Sequence, residues 1–327
     1  MVMAQSLFIT LKQLHPHCEI DVLASTWSGA LLDHMPEINN LIEMTVGHGE
    51  LGLNKRRTLA RSLKQTGYDQ AIVLPNSFKS ALIPWLAGIP LRTGWSGEAR
   101  GWLLNDCRIL DKKSYPLMVE RFTALANSEH ADLPDPLPRP ALSVSSEKRE
   151  SVLNKLSLDT TKPVLALCPG AEFGEAKKWP AHSYAVVANN WLKIGGQVWI
   201  PGSANDNQDA LRLKSSIPSE LADCCHDLTG KTSLGEVIDL MACVDQIVSN
   251  DSGLMHIAAA LAKPLVVIYG STSPTFTPPL SDKVSIVSLN LECSPCFKRT
   301  CPLGHTNCLK QLAPDMVIHT MEEMKTT

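Results

Sequence analysis

Residues 246–256 read Gln246-Ile247-Val248-Ser249-Asn250-Asp251-Ser252-Gly253-Leu254-Met255-His256. A largely apolar run gives way to a short polar turn, and a helical pattern, Leu254 to Leu261, begins at once. Runs that are apolar at nearly every position suit parallel strands covered on both faces. The same alternation recurs along the chain. Expected strands are Glu19–Leu23, Ala71–Leu74, Val164–Leu167, Val198–Ile200, Gln246–Ser249 and Leu265–Tyr269. Helical patterns fall at Lys55–Gln65, Glu147–Leu156, His182–Ile194, Leu234–Cys243 and Leu254–Leu261. Repeated strand–helix units in both halves predict an α/β protein with mainly parallel sheets.

At 327 residues the chain is long enough for two domains. The stretch Ala131 to Pro140 holds four prolines in ten residues and reads as a stiff connector. The expected division is residues 1–130, a linker over 131–149, a second domain over 150–310 and a C-terminal helix over 311–327. With 44% hydrophobic and 19% charged residues, the composition is globular. A formal charge of -3 provides no global basic field for nucleic acid. No apolar run reaches the roughly 20 residues of a spanning helix. Ten cysteines without a secretion signal point to reduced thiols in the cytoplasm.

The turn Asn250–Gly253 carries the strongest chemical signal. Asp251 or Ser252 can cap the following helix, Gly253 permits close approach, and His256 lies one turn above Ser252. The start of that helix suits a diphosphate; a plain capped crossover helix is the other reading. Strand Val164–Leu167 runs into Cys168-Pro169-Gly170-Ala171-Glu172-Phe173-Gly174-Glu175-Ala176-Lys177. Open α/β sheets bind ligands in such strand-end loops. Lys177 could reach a phosphate and Glu172 could accept from sugar hydroxyls, or the segment is an ordinary surface loop. Neither a P-loop nor a Gly-x-Gly-x-x-Gly fingerprint is present, which argues against ATPase and dehydrogenase readings.

In the first half, Asn76, Ser77 and Lys79 follow a strand, and Lys55, Arg56, Arg57, Arg61 and Lys64 share a helix. With Arg100 they could form a dock for an anionic acceptor, or the run is a solvated face. Cys293, Cys296, Cys301 and Cys308 form a compact thiol cluster, open to zinc, to an iron–sulfur cluster or to plain reduced thiols.

Leu74-Pro75-Asn76-Ser77-Phe78-Lys79-Ser80-Ala81, Arg92-Thr93-Gly94-Trp95, Cys168–Gly174, Asn250–His256 and Phe276-Thr277-Pro278-Pro279-Leu280 together resemble the ADP-heptose–lipopolysaccharide heptosyltransferases, glycosyltransferase family 9. The resemblance covers essentially the whole chain. It implies a GT-B fold, two Rossmann-like domains facing across a cleft, and inverting transfer of L-glycero-D-manno-heptose from ADP-heptose to the first heptose of heptosyl-Kdo2-lipid A. It implies a donor site at Gly170, Ala171, Glu172, Lys177, Thr232, Asp251, Ser252, Gly253 and His256, and an acceptor site at Arg56, Arg57, Asn76, Ser77, Lys79 and Arg100. No cofactor is expected, and no metal, the four cysteines being the one candidate. A monomer at the cytoplasmic face of the inner membrane is expected. In the family a strand and a Gly-rich loop precede the first helix, and an Asp at the loop's end is the general base; the first domain is therefore expected to lack its first strand here. This chain opens at Met1-Val2-Met3-Ala4-Gln5-Ser6, which resembles the segment just after that Asp, so the Asp is expected upstream of Met1. The alternatives are a heptosyltransferase with another core acceptor, or a non-catalytic ADP-sugar-binding remnant.

Overall fold

The structure, a computed structural model, describes residues 1–47, 50–129 and 131–326, so the expected boundary at 130 and the end at 327 lie outside the described residues. The chain forms two compact units that divide between Pro138 and Arg139, inside the proline-rich connector. The segment Ala30–Pro36 belongs to the second unit, which composition gave no reason to expect. Its His34 is buried, accepts the Ser143 N–H at its carbonyl, and meets Asp239 Oδ1 through Nε2 at 2.9 Å.

In the first unit β1 (Asp21–Ala24) pairs in parallel with β2 (Asn40–Glu43). A separate parallel sheet runs in the order β3 (Gln70–Ile72), β4 (Leu91–Trp95), β5 (Asp106–Arg108). Helices Leu53–Thr66 and Phe78–Ala87 pack a core of Ala60, Leu63, Ile83, Ala87 and Ile89, against which Leu23 and Ile42 lean from the other sheet. One apolar core thus serves both sheets of this unit.

The second unit is a six-stranded parallel sheet of β6 (Val164–Cys168), β7 (Gln197–Ile200), β8 (Cys225–Asp227), β9 (Gln246–Asn250), β10 (Leu265–Ile268) and β11 (Val284–Val287). Its spatial order is β11-β10-β9-β6-β7-β8. Every residue of β6, β7, β9 and β10 is buried, because helices cover both faces. The first strand of this unit lies in the middle, so the connections wind outward in opposite directions from the β6–β9 pair. There Cys168 stands opposite Ser249 in register, at the switch point where open α/β sheets bind their ligands.

Trp179 closes the loop after β6 onto this sheet. It is fully buried, stacks edge-on against Tyr184 at 4.9 Å and donates from Nε1 to Leu312 O at 3.1 Å. We expect Trp179→Ala to lower unfolding free energy by about 3–5 kcal/mol, the usual cost of emptying an aromatic core site. Chemical denaturation followed by circular dichroism measures it.

Candidate functional site

The site is built where β6 and β9 end. Beyond β9 the backbone is extended at Ser252 (φ -144°, ψ 176°), and the helix Gly253–Ala260 begins without a side-chain capping bond. This corrects the expectation that Asp251 or Ser252 caps it. The Ser252 hydroxyl lies 3.3 Å from Ser249 Oγ, and the Asp251 carboxylate is engaged elsewhere. Asp251 Oδ2 accepts from Lys177 Nζ and from Thr272 Oγ1, each at 2.6 Å. An ammonium is a stronger partner for a carboxylate than a backbone N–H. The first N–H groups of the helix therefore keep their polarity for another acceptor, and beyond its chain neighbours and its own helix backbone nothing lies within 4 Å of where a Cβ on Gly253 would sit.

Asn250 holds the loops in place. Wholly buried, it donates from Nδ2 to Pro169 O at 2.6 Å and accepts at Oδ1 from the Trp179 N–H at 3.1 Å. Both ends of the loop after β6 are thereby tied to the end of β9. The loop after β7 is drawn in as well. Asp206 accepts from the N–H and hydroxyl of Ser203, each at 2.8 Å, and its carboxylate fills the space a side chain on Gly170 would need. A side chain there would have to displace Asp206.

Lys177 ends a short turn, Glu175–Lys177, with its side chain only 14% exposed. Its ammonium lies 4.9 Å from the Phe173 ring centroid, and the Arg299 guanidinium lies 5.5 Å from the same ring. A mobile lysine is thus confined beside Asp251, with donors left over after that bond. His256 is close enough to Asp251 and Lys177 to feel both charges, and burial pushes its imidazole down to about 4. It is neutral near pH 7. Thr232, in the turn after β8, has a buried hydroxyl without a hydrogen-bond partner, as does Ser271 after β10. Such orphaned hydroxyls suit ligand atoms.

The structure places Gly170 and Lys177 in the loop after β6, and Asp251, Ser252, Gly253 and His256 in the turn and helix after β9, with Lys177 and Asp251 in direct contact. Ala171 is buried beside them, Glu172 is exposed on the same loop, and Thr232 lies at the β8 end of the sheet. Sequence reasoning missed Asn250 as a clamp, and missed Asp206 and Thr272. Thr272 could have been found, since it too lies in the loop that leaves an apolar strand.

In the first unit the expected basic dock is smaller than the charges suggest. Arg56 is buried and donates to Leu51 O at 2.7 Å and Lys79 O at 2.8 Å. Arg100 is also buried; its guanidinium donates to the carbonyls of Trp95 and Pro75 and, at 3.1 Å, to Asn76 Oδ1. Both are structural cross-links, because backbone carbonyls inside the unit demand donors. Ser77 precedes the helix Phe78–Ala87 without capping it, the Phe78 N–H donating instead to Glu98 at 2.9 Å. Lys55, Arg57, Arg61 and Lys64 remain on the exposed face of their helix, and Lys79 is half-buried.

A pH dependence arises from His256. An unfolded histidine binds a proton near pH 6.5, the folded one only near 4, so the unfolded state holds more protons between those values. Stability should therefore fall as pH drops through this window, by about 3 kcal/mol in total from this group, and be unaffected by it above pH 7. In His256→Gln the denaturation midpoint should depend less on pH between 6.5 and 4.

A family model described as Glycosyltransferase family 9 (heptosyltransferase) matches residues 56–307. The chain is 45% identical to lipopolysaccharide heptosyltransferase 2 of Escherichia coli strain K12, over 99% of this chain and 94% of that protein. It is 43% identical to lipooligosaccharide heptosyltransferase 2 of Haemophilus influenzae strain Rd, over 99% and 95%. The solved structure of E. coli ADP-heptose LPS heptosyltransferase II superposes with a TM-score of 0.90 at 43% identity, covering 99% of this chain and 94% of that one.

Proposed function

The chain belongs to glycosyltransferase family 9, the heptosyltransferases, and on that footing we propose that it transfers heptose from ADP-heptose to the first heptose of heptosyl-Kdo2-lipid A. Its fold class is GT-B. The observation that carries the donor assignment is the Lys177–Asp251–Thr272 group beside an uncapped helix start at the ends of β6 and β9. The diphosphate lies against the N–H groups of Ser252 and Gly253, with Lys177 supplying the cation and His256 a neutral hydrogen-bonding ring. As the acceptor oxygen bonds to the anomeric carbon, the bond to the diphosphate oxygen breaks and the acceptor proton passes to a base. Charge grows on the leaving ADP, where Lys177 and the helix dipole stabilise it most. Inversion follows from a single displacement. Thr232 takes the adenosine end, and Glu172 a sugar hydroxyl.

On the acceptor side, Arg57, Lys79, Asn76 and Ser77 face the anionic lipid core. The protein works as a monomer on the cytoplasmic face of the inner membrane. The described residues contain no helix long and apolar enough to cross a bilayer. Trp102, 62% exposed and edge-on to the half-exposed Trp85 at 5.6 Å, offers the first unit an aromatic contact for the interfacial region.

Lys177→Ala should weaken ADP-heptose binding by about 1.5–3 kcal/mol, as the loss of a charge-assisted hydrogen bond does. Adding Asp251→Asn should restore part of that loss, because the carboxylate left alone would repel the diphosphate. Calorimetry showing unchanged affinity in the single variant would remove Lys177 from the donor site. For the acceptor, Arg57→Ala with Lys79→Ala should raise the KM for heptosyl-Kdo2-lipid A and leave donor affinity unchanged. Arg56→Ala should instead lower the melting temperature. Turnover with Kdo2-lipid A but not with its heptosylated form would overturn the acceptor assignment.

A further inference from the structure

Between the end of β11 at Val287 and the short helix Asn307–Lys310 the chain forms neither helix nor strand. Irregular loops of this length are uncommon in compact domains unless something holds them. Apolar burial holds only its start, where Leu289 packs against the core of the unit; farther along, Phe297 and Leu303 are more than half exposed. The loop nevertheless brings Cys293, Cys296, Cys301 and Cys308, together with His305, around a single cavity that Ala176 and Ser271 close from the other side. Cys308 lies near enough to the other three to feel the charge of each.

The backbone around Cys301 is shaped for a thiolate. Gly304, in the left-handed region at φ 72°, returns its N–H to Cys301 O at 3.1 Å, and the Thr306 N–H donates to Cys301 Sγ at 3.4 Å. Amide dipoles aimed at a sulfur stabilise its anionic form. Thiolates gathered around one cavity repel one another unless a cation lies between them.

We propose that Cys293, Cys296, Cys301 and Cys308 bind one thiophilic metal ion, zinc or iron, as a tetrathiolate site that fixes this loop. Among the described residues no three ligand-type side chains already form a coordination group, so the metal closes the site by drawing the thiols inward. Each thiol gives up its proton as its sulfur binds. The loop has no apolar core of its own to resist that adjustment.

The site is coupled to the loop after β6. Ala176 N–H donates to Arg299 O at 3.2 Å, Phe297 N–H donates to Ser271 O at 2.7 Å, and the Ser294 hydroxyl donates to Gly270 O. A Cβ on Gly174 would lie 2.5 Å from Arg299 O, so this contact too is tight. These anchors adjoin Lys177 and Thr272, the two partners of Asp251. The metal site itself stands apart from the donor assignment; the coupling rests on it.

The test uses the full chain, produced with zinc or with iron supplementation and purified under reducing conditions. Elemental analysis should find one ion per chain, visible absorption distinguishing iron from zinc. Cobalt(II) should give a thiolate charge-transfer band that is lost in Cys301→Ser and in Cys308→Ser but kept in Cys18→Ser. Without any variant, a thiol reagent should leave Cys293, Cys296, Cys301 and Cys308 unmodified, in addition to the buried Cys168 and Cys225, and should reach those four once a chelator is added. Substoichiometric metal under both supplements, no cobalt band, or a mass deficit from disulfides would each overturn the site. Chelation should weaken ADP binding at least about tenfold; stoichiometric metal with ADP affinity unchanged on its removal would overturn the coupling alone.

Discussion

A carboxylate taken out of water at the end of a parallel strand must be neutralised, and Asp251, only 7% exposed, sets that demand on the second unit. Lys177 meets it from the loop after β6 and Thr272 from the loop after β10, so one anion draws together the ends of three adjacent strands, β10, β9 and β6. Asn250 makes this possible by fixing the loop that delivers Lys177. Because Asp251 is turned toward these side chains, the helix behind it begins without a cap. The same interaction therefore places a cation and frees an array of N–H donors at one spot. A site for a doubly charged leaving group needs both.

Much of this unit could be read in the chain because burial on both faces leaves a plain mark. β6, β7, β9 and β10 are apolar runs, and each was expected within a residue or so of its observed span. β8 and β11 lie at the sheet edges, and Cys225-His226-Asp227 carries no apolar signature. β2, β4 and β5 were missed for a related reason. They are short and partly polar, and one core shared by two small sheets does not require continuous apolar runs.

The site was legible in identity and less so in direction. A strand-end loop bearing Lys177 and a second bearing Asp251 were both visible, but nothing local shows that they face each other across 74 positions. Capping rules favoured Asp251 or Ser252, and a long-range ion pair overrode them. Arg56 and Arg100 show the complementary error. A linear pattern records charge and not where the guanidinium points, and both point inward to carbonyls.

The brief passage of Ala30–Pro36 into the second unit makes that unit discontinuous in the chain. Apart from Val2, its compact body is assembled from two stretches, with most of the first unit threaded between them. A cut in the proline-rich connector would keep every donor-side residue yet remove His34, leaving Asp239 buried without its imidazole. Severing the connector is therefore not the same as separating the two bodies. Modularity is plain in the architecture but not in the polymer, so donor recognition cannot be transplanted as one continuous cassette without a piece borrowed from near the start of the chain.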